Sequence, residues 1–443
     1  MKKTNVLLLF TDMQRADTIH ALGNPVIKTP NLDRLVKEGT AFTNCYSPSP
    51  VCIPARCSMQ YGLYPHNSGC ADNVDWMNDN GQSFPAILAD NGYKSHAIGK
   101  LHYDPDQLGP EGDCDGLRGF QSREMQEEAL SHDDRDDYIK YLKKNNYDHK
   151  EPHGYRGEMY YIPQVSTLPS EAHPTQWIGD RTVDFIEKES QSDKPWCLMS
   201  SFIHPHPPFT PPKPWHKLYR AAMMPYPKIA PYNDSLLTHT NRVQNRYKYR
   251  DQGIDNNLVR NIKAFYYATI SFVDYQVGRI LDQLEKSGEL DNTLIIFSSD
   301  HGEFLGDYNC FGKRSMHDAS SKVPLIVRYP EKFAKNAICQ TPTSLVDIMP
   351  TMLASANIDE KQFDIDGVNL AEIADGSSDR KSVLSEHLLW NIKEQGQYMI
   401  ANEQYKYFYS SADDKEFLFD KITDPNELKI VQTIHFTRKF SKN

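Results

Sequence analysis

The sequence predicts an α/β fold built on a buried parallel sheet with covering helices, followed by a small antiparallel subdomain. Three observations carry this. Asn5–Thr11 and Thr293–Ser298 are continuous apolar runs, the pattern of strands covered on both faces. Long amphipathic segments, Glu171–Ser190 and Asn257–Ser287, stand between such runs. From Asp379 onward the character changes, and Val383–Glu386, Gln397–Ala401, Tyr405–Tyr409 and Glu416–Asp420 follow one another as short strands, with a terminal helix expected after them.

The 443 residues can bury a large core and divide into two domains, placed at 1–375 and 376–443. With 24% charged and 39% hydrophobic residues the composition is that of a globular protein. The 49 basic and 59 acidic side chains give a net charge of −10, which argues against nucleic acid as a partner. An anionic substrate therefore needs a local basic pocket. No stretch has the length and apolarity of a membrane span. Met1-Lys2-Lys3 and Val6–Phe10 resemble the start of a signal peptide, but the apolar run is short and ends at Thr11-Asp12 without a small-residue cleavage site. The sequence as given is expected to be cytoplasmic, or periplasmic or secreted where an export signal has been removed. The eight cysteines form no CxxC pair and are too sparse for a disulfide framework.

Along the chain, the first strand ends at Asp12, beyond the carboxyl end where parallel sheets bind ligands. Thr29–Gly39 contains a helix with Leu32, Leu35 and Val36 on one face. Phe42–Tyr46 reads as a short strand leading into Ser47-Pro48-Ser49-Pro50, which cannot be helical. Pro54–Gly62 can be, so Cys52 is expected just outside a helix start with Pro54 near the first helical position. That end of a helix offers free N–H groups to an anion. A helix over Ser83–Asn91, stopped by Gly92, precedes a strand over Tyr93–Gly99 and then Lys100-Leu101-His102. Lys100 and His102 share a side if the chain stays extended.

Residues 104–171 are polar and aperiodic, as in substrate-facing loops or plain surface insertions. The strand Pro195–Ile203 ends in His204-Pro205-His206-Pro207-Pro208, where prolines hold two histidines in place. Residues 213–256 are basic and tyrosine-rich, a second loop. The strand Thr293–Ser298 then ends at Ser299-Asp300-His301-Gly302-Glu303. Two buried strands that each deliver an acid, one with an imidazole beside it, fit a divalent metal site. Taken singly, each of these residues has an ordinary structural reading: a buried thiol, a helix cap, a solvated strand edge.

Together they do not. Cys52-x-Pro54-x-Arg56, followed by Gly62 and Pro65, resembles the signature of the type I sulfatases of the alkaline phosphatase superfamily. The likeness extends through Gly99-Lys100-x-His102, the Pro205-His206 segment, Ser299–Glu303, Phe311-Gly312-Lys313-Arg314 and the C-terminal Lys406-Tyr407 and Leu418-Phe419-Asp420. It implies a large mixed, mainly parallel sheet between helices with a small C-terminal antiparallel-sheet subdomain. It also implies conversion of Cys52 to formylglycine by a formylglycine-generating or sulfatase-maturating enzyme.

The metal ligands implied are Asp12, Asp300, His301 and the modified Cys52, for Ca2+, with Mg2+ or Mn2+ as alternatives. Met13 stands where relatives carry a further oxygen ligand, and Gln14 is the neighbouring candidate to replace it. Arg56 would orient residue 52 and the acids, Lys100 and Lys313 would hold sulfate, and His102 would act on the formylglycine hydroxyl. His206 would protonate the leaving group, and His204 is a further candidate for substrate contact. The implied reaction is hydrolysis of sulfate monoesters, those of a sulfated saccharide in particular. The alternatives are a phosphonate monoester or phosphodiester hydrolase of the same superfamily, and a non-catalytic binder of sulfated glycans.

Overall fold

The computed structural model describes residues 3–75, 77, 81–103, 117–127, 135–245 and 255–431. Fourteen strands form among them. The first ten are β1 (Asn5–Thr11), β2 (Thr40–Phe42), β3 (Cys45–Tyr46), β4 (Lys94–Gly99), β5 (Ser122–Met125), β6 (Trp196–Phe202), β7 (Thr293–Ser299), β8 (Leu325–Arg328), β9 (Ala337–Cys339) and β10 (Thr343–Ser344). The C-terminal four are β11 (Val383–Leu388), β12 (Gly396–Ala401), β13 (Tyr405–Ser410) and β14 (Lys415–Asp420).

Eight strands make the central sheet, in the order β5-β4-β6-β1-β7-β8-β2-β9. The five from β5 to β7 run parallel, and β8 runs antiparallel to both β7 and β2. The expected mixed, mainly parallel sheet is therefore present.

The continuous apolar run of β1 follows from burial on both faces. Val6, Leu8 and Phe10 pack on one side with Met199, Leu294 and Ile296. Leu7 and Leu9 pack on the other with Leu198, Ile295 and Phe297. Alternation across the pleat sends successive side chains to opposite layers, and both layers are apolar. The helix Pro174–Glu189 and the 31-residue helix Asn256–Lys286 cover the second layer with Ile178, Ile186, Val273, Val277 and Ile280. The buried carboxyl of Asp274, which burial pushes up to about 7, accepts the N–H groups of Asn31 and Leu32 at 3.1 and 2.7 Å and ties that long helix to the helix Pro30–Glu38.

Two local expectations are corrected. The stretch Phe42–Tyr46 is not one strand: β2 joins the central sheet and β3 pairs with β10 in a separate two-stranded ladder. The polar segment after residue 104 is not all loop. It carries β5 as an edge strand and the helix Asp137–Lys144, whose N-cap Asp136 accepts the N–H of Ile139. An edge strand of sequence Ser-Arg-Glu-Met lacks the apolar pattern of a buried one, which is why it reads as loop. Residues 104–116 and 128–134 of that segment, and the end of the chain where a terminal helix is expected, lie outside the described residues.

The strands β11 to β14 form the expected antiparallel sheet. Its inner face, with Met399, Phe408, Phe417 and Phe419, shares a core with Tyr46, Phe304, Tyr308 and Met316. The Glu386 N–H donates to the Pro48 carbonyl at 2.9 Å, which seats β11 against the proline-rich approach to Cys52.

Candidate active site

Four neighbouring parallel strands end at the same edge: β4, β1 and β7 extend directly into a polar residue, and β6 does so after Ile203. Thr11 is in register with Ser299 on one side and Phe202 on the other, and Gly99 is in register with Ser201. Asp12, Asp300, Lys100 and the 204–206 turn therefore leave the sheet side by side, beyond the strand carboxyl ends where such sheets bind ligands.

Cys52 comes from a different element. The helix runs Cys52–Tyr61, with Val51 extended at its N-cap, so Cys52 is its first residue and Pro54 its third. The start lies two residues earlier than the sequence suggests. A proline within the first turn lacks only an N–H that has no partner there anyway. Gly62 ends the helix at φ 67°, with its N–H on the Ser58 carbonyl at 2.9 Å. Every residue of this helix is buried, and Cys52 is only 1% exposed.

The two acids divide their oxygens in the same way. Asp12 turns Oδ2 to Lys100 Nζ at 2.6 Å and Arg56 Nη2 at 3.2 Å. Asp300 turns Oδ2 to Arg56 Nε at 3.0 Å. Their Oδ1 atoms face the other way, 3.8 and 3.5 Å from His301 Nε2. The Cys52 sulfur completes the group, 3.3 Å from His301 Nε2 and 3.9 Å from Asp12 Oδ1. Lys313 Nζ lies 2.6 Å from that sulfur. The remaining Arg56 nitrogen, Nη1, donates to the Lys100 carbonyl and Ser201 Oγ at 3.0 and 3.1 Å.

Ligand atoms of Asp12, Cys52, Asp300 and His301 all lie within 4.8 Å of one another. The set suits a divalent cation. His301 Nδ1 is 3.0 Å from the Gly302 carbonyl, which can only accept, so Nδ1 carries a proton and Nε2 is the atom turned to the acids. Burial and the neighbouring Asp12 push the Asp300 carboxyl above its ordinary range, a repulsion that a bound cation relieves. Burial would raise Asp12 too, but Lys100, His206, Lys313 and Arg56 together hold it well below the usual range.

Met13 adds no side-chain oxygen. Its φ is 65°, its N–H donates to Asp300 Oδ1 at 3.1 Å, and its carbonyl accepts the Tyr266 hydroxyl at 2.7 Å. Gln14 directs its amide nitrogen to Thr18 Oγ1 at 3.3 Å, and its Oε1 is buried without a hydrogen-bond partner among the described residues.

The histidines divide. His102 does not continue the extended chain beyond Lys100. Its φ is 49°, and Glu127 Oε1 accepts both its N–H and that of Leu101, at 3.3 and 2.9 Å. His206 is buried, with Nδ1 2.8 Å from the Pro207 carbonyl and Nε2 3.4 Å from the Tyr160 hydroxyl. His204 is buried as well, but Thr175 and Thr210 hydroxyls meet its two ring nitrogens at 3.0 and 3.2 Å, and burial lowers its pKa to about 3.

Other residues shape the site without having stood out in the sequence. Glu303 Oε1 accepts the N–H groups of Leu305 and Gly312, bending the chain from Asp300 back towards Lys313. Arg15 donates to the Glu303 and Phe304 carbonyls and so locks the loop after β1 to the loop after β7. Glu303 belongs to the Ser299–Glu303 motif, but Arg15, Ser201 and Glu127 carry no local signal. Their roles come from strand order alone.

Comparison with known proteins agrees with this geometry. The family model described as Sulfatase matches residues 4–358, and the model for the N-sulphoglucosamine sulphohydrolase C-terminal region matches 306–442. An arylsulfatase of Clostridium perfringens is 29% identical, covering 96% of this chain and 89% of its own. An N-acetylglucosamine-6-O-sulfatase of Bacteroides thetaiotaomicron is 25% identical, covering 96% and 82%. Among solved structures, the phosphonate monoester hydrolase of Agrobacterium radiobacter superimposes with a TM-score of 0.82 at 25% identity, covering 97% of this chain and 91% of its own. With the family match running through both acid-bearing strands and the Cys52 helix, the chain belongs to the sulfatase family and is a sulfuric ester hydrolase.

Proposed function

We propose that the protein hydrolyses the sulfate monoester of a sulfated saccharide at a formylglycine made from Cys52. The observation that carries this is the position of the Cys52 sulfur, between His301 Nε2 at 3.3 Å and Lys313 Nζ at 2.6 Å and beside two carboxylates. The saccharide is supported by the N-acetylglucosamine-6-O-sulfatase among the relatives.

Formylglycine, once hydrated, supplies a hydroxyl as nucleophile towards sulfur. A divalent cation, Ca2+ with Mg2+ or Mn2+ as alternatives, would be held by Asp12, Asp300, His301 and residue 52, and supplies charge neutralisation. Lys100 and Lys313, both buried, hold the anionic oxygens of the ester. Arg56 spans Asp12 and Asp300 and keeps their Oδ1 atoms aimed inward. His206 keeps one proton on Nδ1 against the Pro207 carbonyl, so the proton it gives to the departing alcohol oxygen travels from Nε2. His102 takes the proton of the remaining hydroxyl when sulfate leaves. His204 positions the 204–208 turn through its two threonines rather than touching substrate. In this reading residues 1–375 carry the chemistry, 376–443 make the small second domain, and β11 of that domain stands against the approach to Cys52.

Hydrolysis of a phosphonate monoester is the second reading, favoured by the likeness to the phosphonate monoester hydrolase. The test is release of inorganic sulfate from 4-nitrophenyl sulfate and from a panel of sulfated monosaccharides, beside 4-nitrophenyl phenylphosphonate. The protein is co-produced with a maturating enzyme, and Cys52→Ala is the control. Sulfate release should dominate and vanish in the control. Release that survives Cys52→Ala sinks the mechanism, and a faster phosphonate reaction favours the second reading.

A further inference from the structure

The C-terminal sheet meets the catalytic half beside Cys52, and two side chains at this junction are unused by the reaction above. Arg314 follows Lys313 in the chain, at φ 70°, with its N–H on the Pro50 carbonyl at 2.9 Å. Its Nε faces Asp72 Oδ1 at 3.6 Å, and its side chain is 23% exposed. Among the described residues its buried Nε has no hydrogen-bond partner. Trp390, in the turn between β11 and β12, is 47% exposed. Its φ is 53°, an uncommon conformation for so bulky a residue.

One carboxylate neighbours both. Asp72 Oδ2 accepts the backbone N–H of Trp390 at 2.7 Å, while its Oδ1 faces Arg314 and, at 3.4 Å, His387 Nε2. Burial lowers the His387 pKa, so the ring is neutral and donates from Nε2. Asp72 is itself 1% exposed and fully engaged, so it is an anchor and not a ligand. The next residue, Asn73, accepts the Ile53 N–H on its Oδ1 at 3.0 Å, one residue from the nucleophile. Arg314 and Trp390 are thus tied to residue 52 by two routes, one through Lys313 and one through Asp72-Asn73.

We propose that Arg314 and Trp390 form the saccharide subsite of this active site. A pyranose offers an apolar C–H face that stacks on an indole, and its substituents offer paired oxygens that suit the planar fork of a guanidinium. The Trp390 ring takes the sugar face, and the Arg314 terminal N–H groups donate to oxygens beside the sulfated carbon. The inference rests on the sulfatase reading and adds the residues that select a sugar over a plain aryl ester.

The test uses Arg314→Gln, Trp390→Ala and Trp390→Phe in the full chain, with the best-used member of the sulfated monosaccharide panel and 4-nitrophenyl sulfate. The ratio of kcat/KM for sugar over aryl ester should fall at least tenfold in Arg314→Gln and Trp390→Ala, mainly through KM, with Trp390→Phe between them and wild type. Calorimetric binding of the same sugar sulfate to Cys52→Ala protein should weaken by a similar factor when either change is added. Equal losses on both substrates, unchanged sugar binding, or a wild-type enzyme that cleaves the aryl ester yet binds no member of the panel each overturn the subsite. Sugar binding that needs Arg314 and Trp390 in a protein releasing no sulfate upholds the subsite and counts against the sulfatase reading instead.

Discussion

The ammonium of Lys313 lies 2.6 Å from the sulfur of Cys52, although the two residues are 261 positions apart in the chain. Burial and Asp12 push the Cys52 thiol up, yet Lys313, Lys100 and His301 outweigh them and hold it well below its ordinary range. The position of residue 52 is therefore built to carry negative charge. Lys313→Met removes a donor aimed at that charge, and kcat for sulfate ester hydrolysis should drop by about 10²–10³-fold. Steady-state kinetics beside a thermal melt check this. A loss of melting temperature large enough to explain the rate would contradict it.

Arg56 should resist conservative replacement. It binds Asp12, Asp300, the Lys100 carbonyl and Ser201 at once, and all of its side chain is buried. Arg56→Lys offers a single point charge in place of a planar fork, so at least one acid loses its partner. Breaking such a buried pair costs about 3–5 kcal/mol. Urea unfolding of Arg56→Lys and Arg56→Met should show comparable losses. A lysine variant as stable as wild type would argue against the clamp.

Metal retention should follow the inner oxygens. Asp300→Ala and His301→Ala remove ligand atoms from the four-residue group and should leave purified protein without stoichiometric metal by elemental analysis. Chelation of wild type should lower its melting temperature, since saturation at 100-fold above Kd stabilises by about 2.7 kcal/mol. Met13→Asp adds an oxygen next to this group and should not loosen metal binding. Metal content unchanged in Asp300→Ala refutes the site.

His317 gives a pH-dependent term away from the active site. It is buried beside Tyr308 and Phe408, with Nδ1 2.8 Å from Ser315 Oγ, and burial followed by Lys406 lowers its pKa to about 3. Unfolded, the ring titrates near about 6.5. The folded state keeps it neutral across that interval, so unfolding takes up a proton and this residue's contribution falls as pH drops below 6.5. Comparing wild type with His317→Gln isolates the term from the buried carboxyls that titrate in the opposite sense. The stability advantage of wild type at pH 7 should shrink by about 2 kcal/mol at pH 5, at about 1.4 kcal/mol per pH unit. Urea unfolding at both values decides it.

The parts of the site legible in the sequence are those where one residue type does the work at a strand end. Asp12 and Asp300 each follow an apolar run and, as a pair, needed only the rule that ligands sit beyond strand carboxyl ends, whereas Lys100 follows the mixed run Lys94–Gly99 and was legible only through the likeness to a family motif. Cys52 and Lys313 sit on no such run and were legible only through likeness to a family signature. Arg15, Ser201 and Asp72 were not legible at all. Their function lies in partners far off in the chain, fixed by the order β4-β6-β1-β7 and by the docking of β11. His102 reads correctly as a neighbour of Lys100 but not as part of a straight chain, because the Glu127 carboxylate that turns the backbone follows 25 residues later in an aperiodic stretch.

Cys52 is 1% exposed in the folded chain, enclosed by residues 12, 300, 301 and 313. A small ester can enter from the strand ends, but a modifying enzyme must grip the chain on both sides of residue 52, and the wholly buried helix Cys52–Tyr61 withholds it, so the proposed conversion has a deadline. It belongs to the interval after residue 52 emerges from the ribosome and before β7 joins β1. Slowing synthesis across residues 60–290 should raise the converted fraction, and refolding unconverted protein before exposure to the maturating enzyme should leave it a thiol for good.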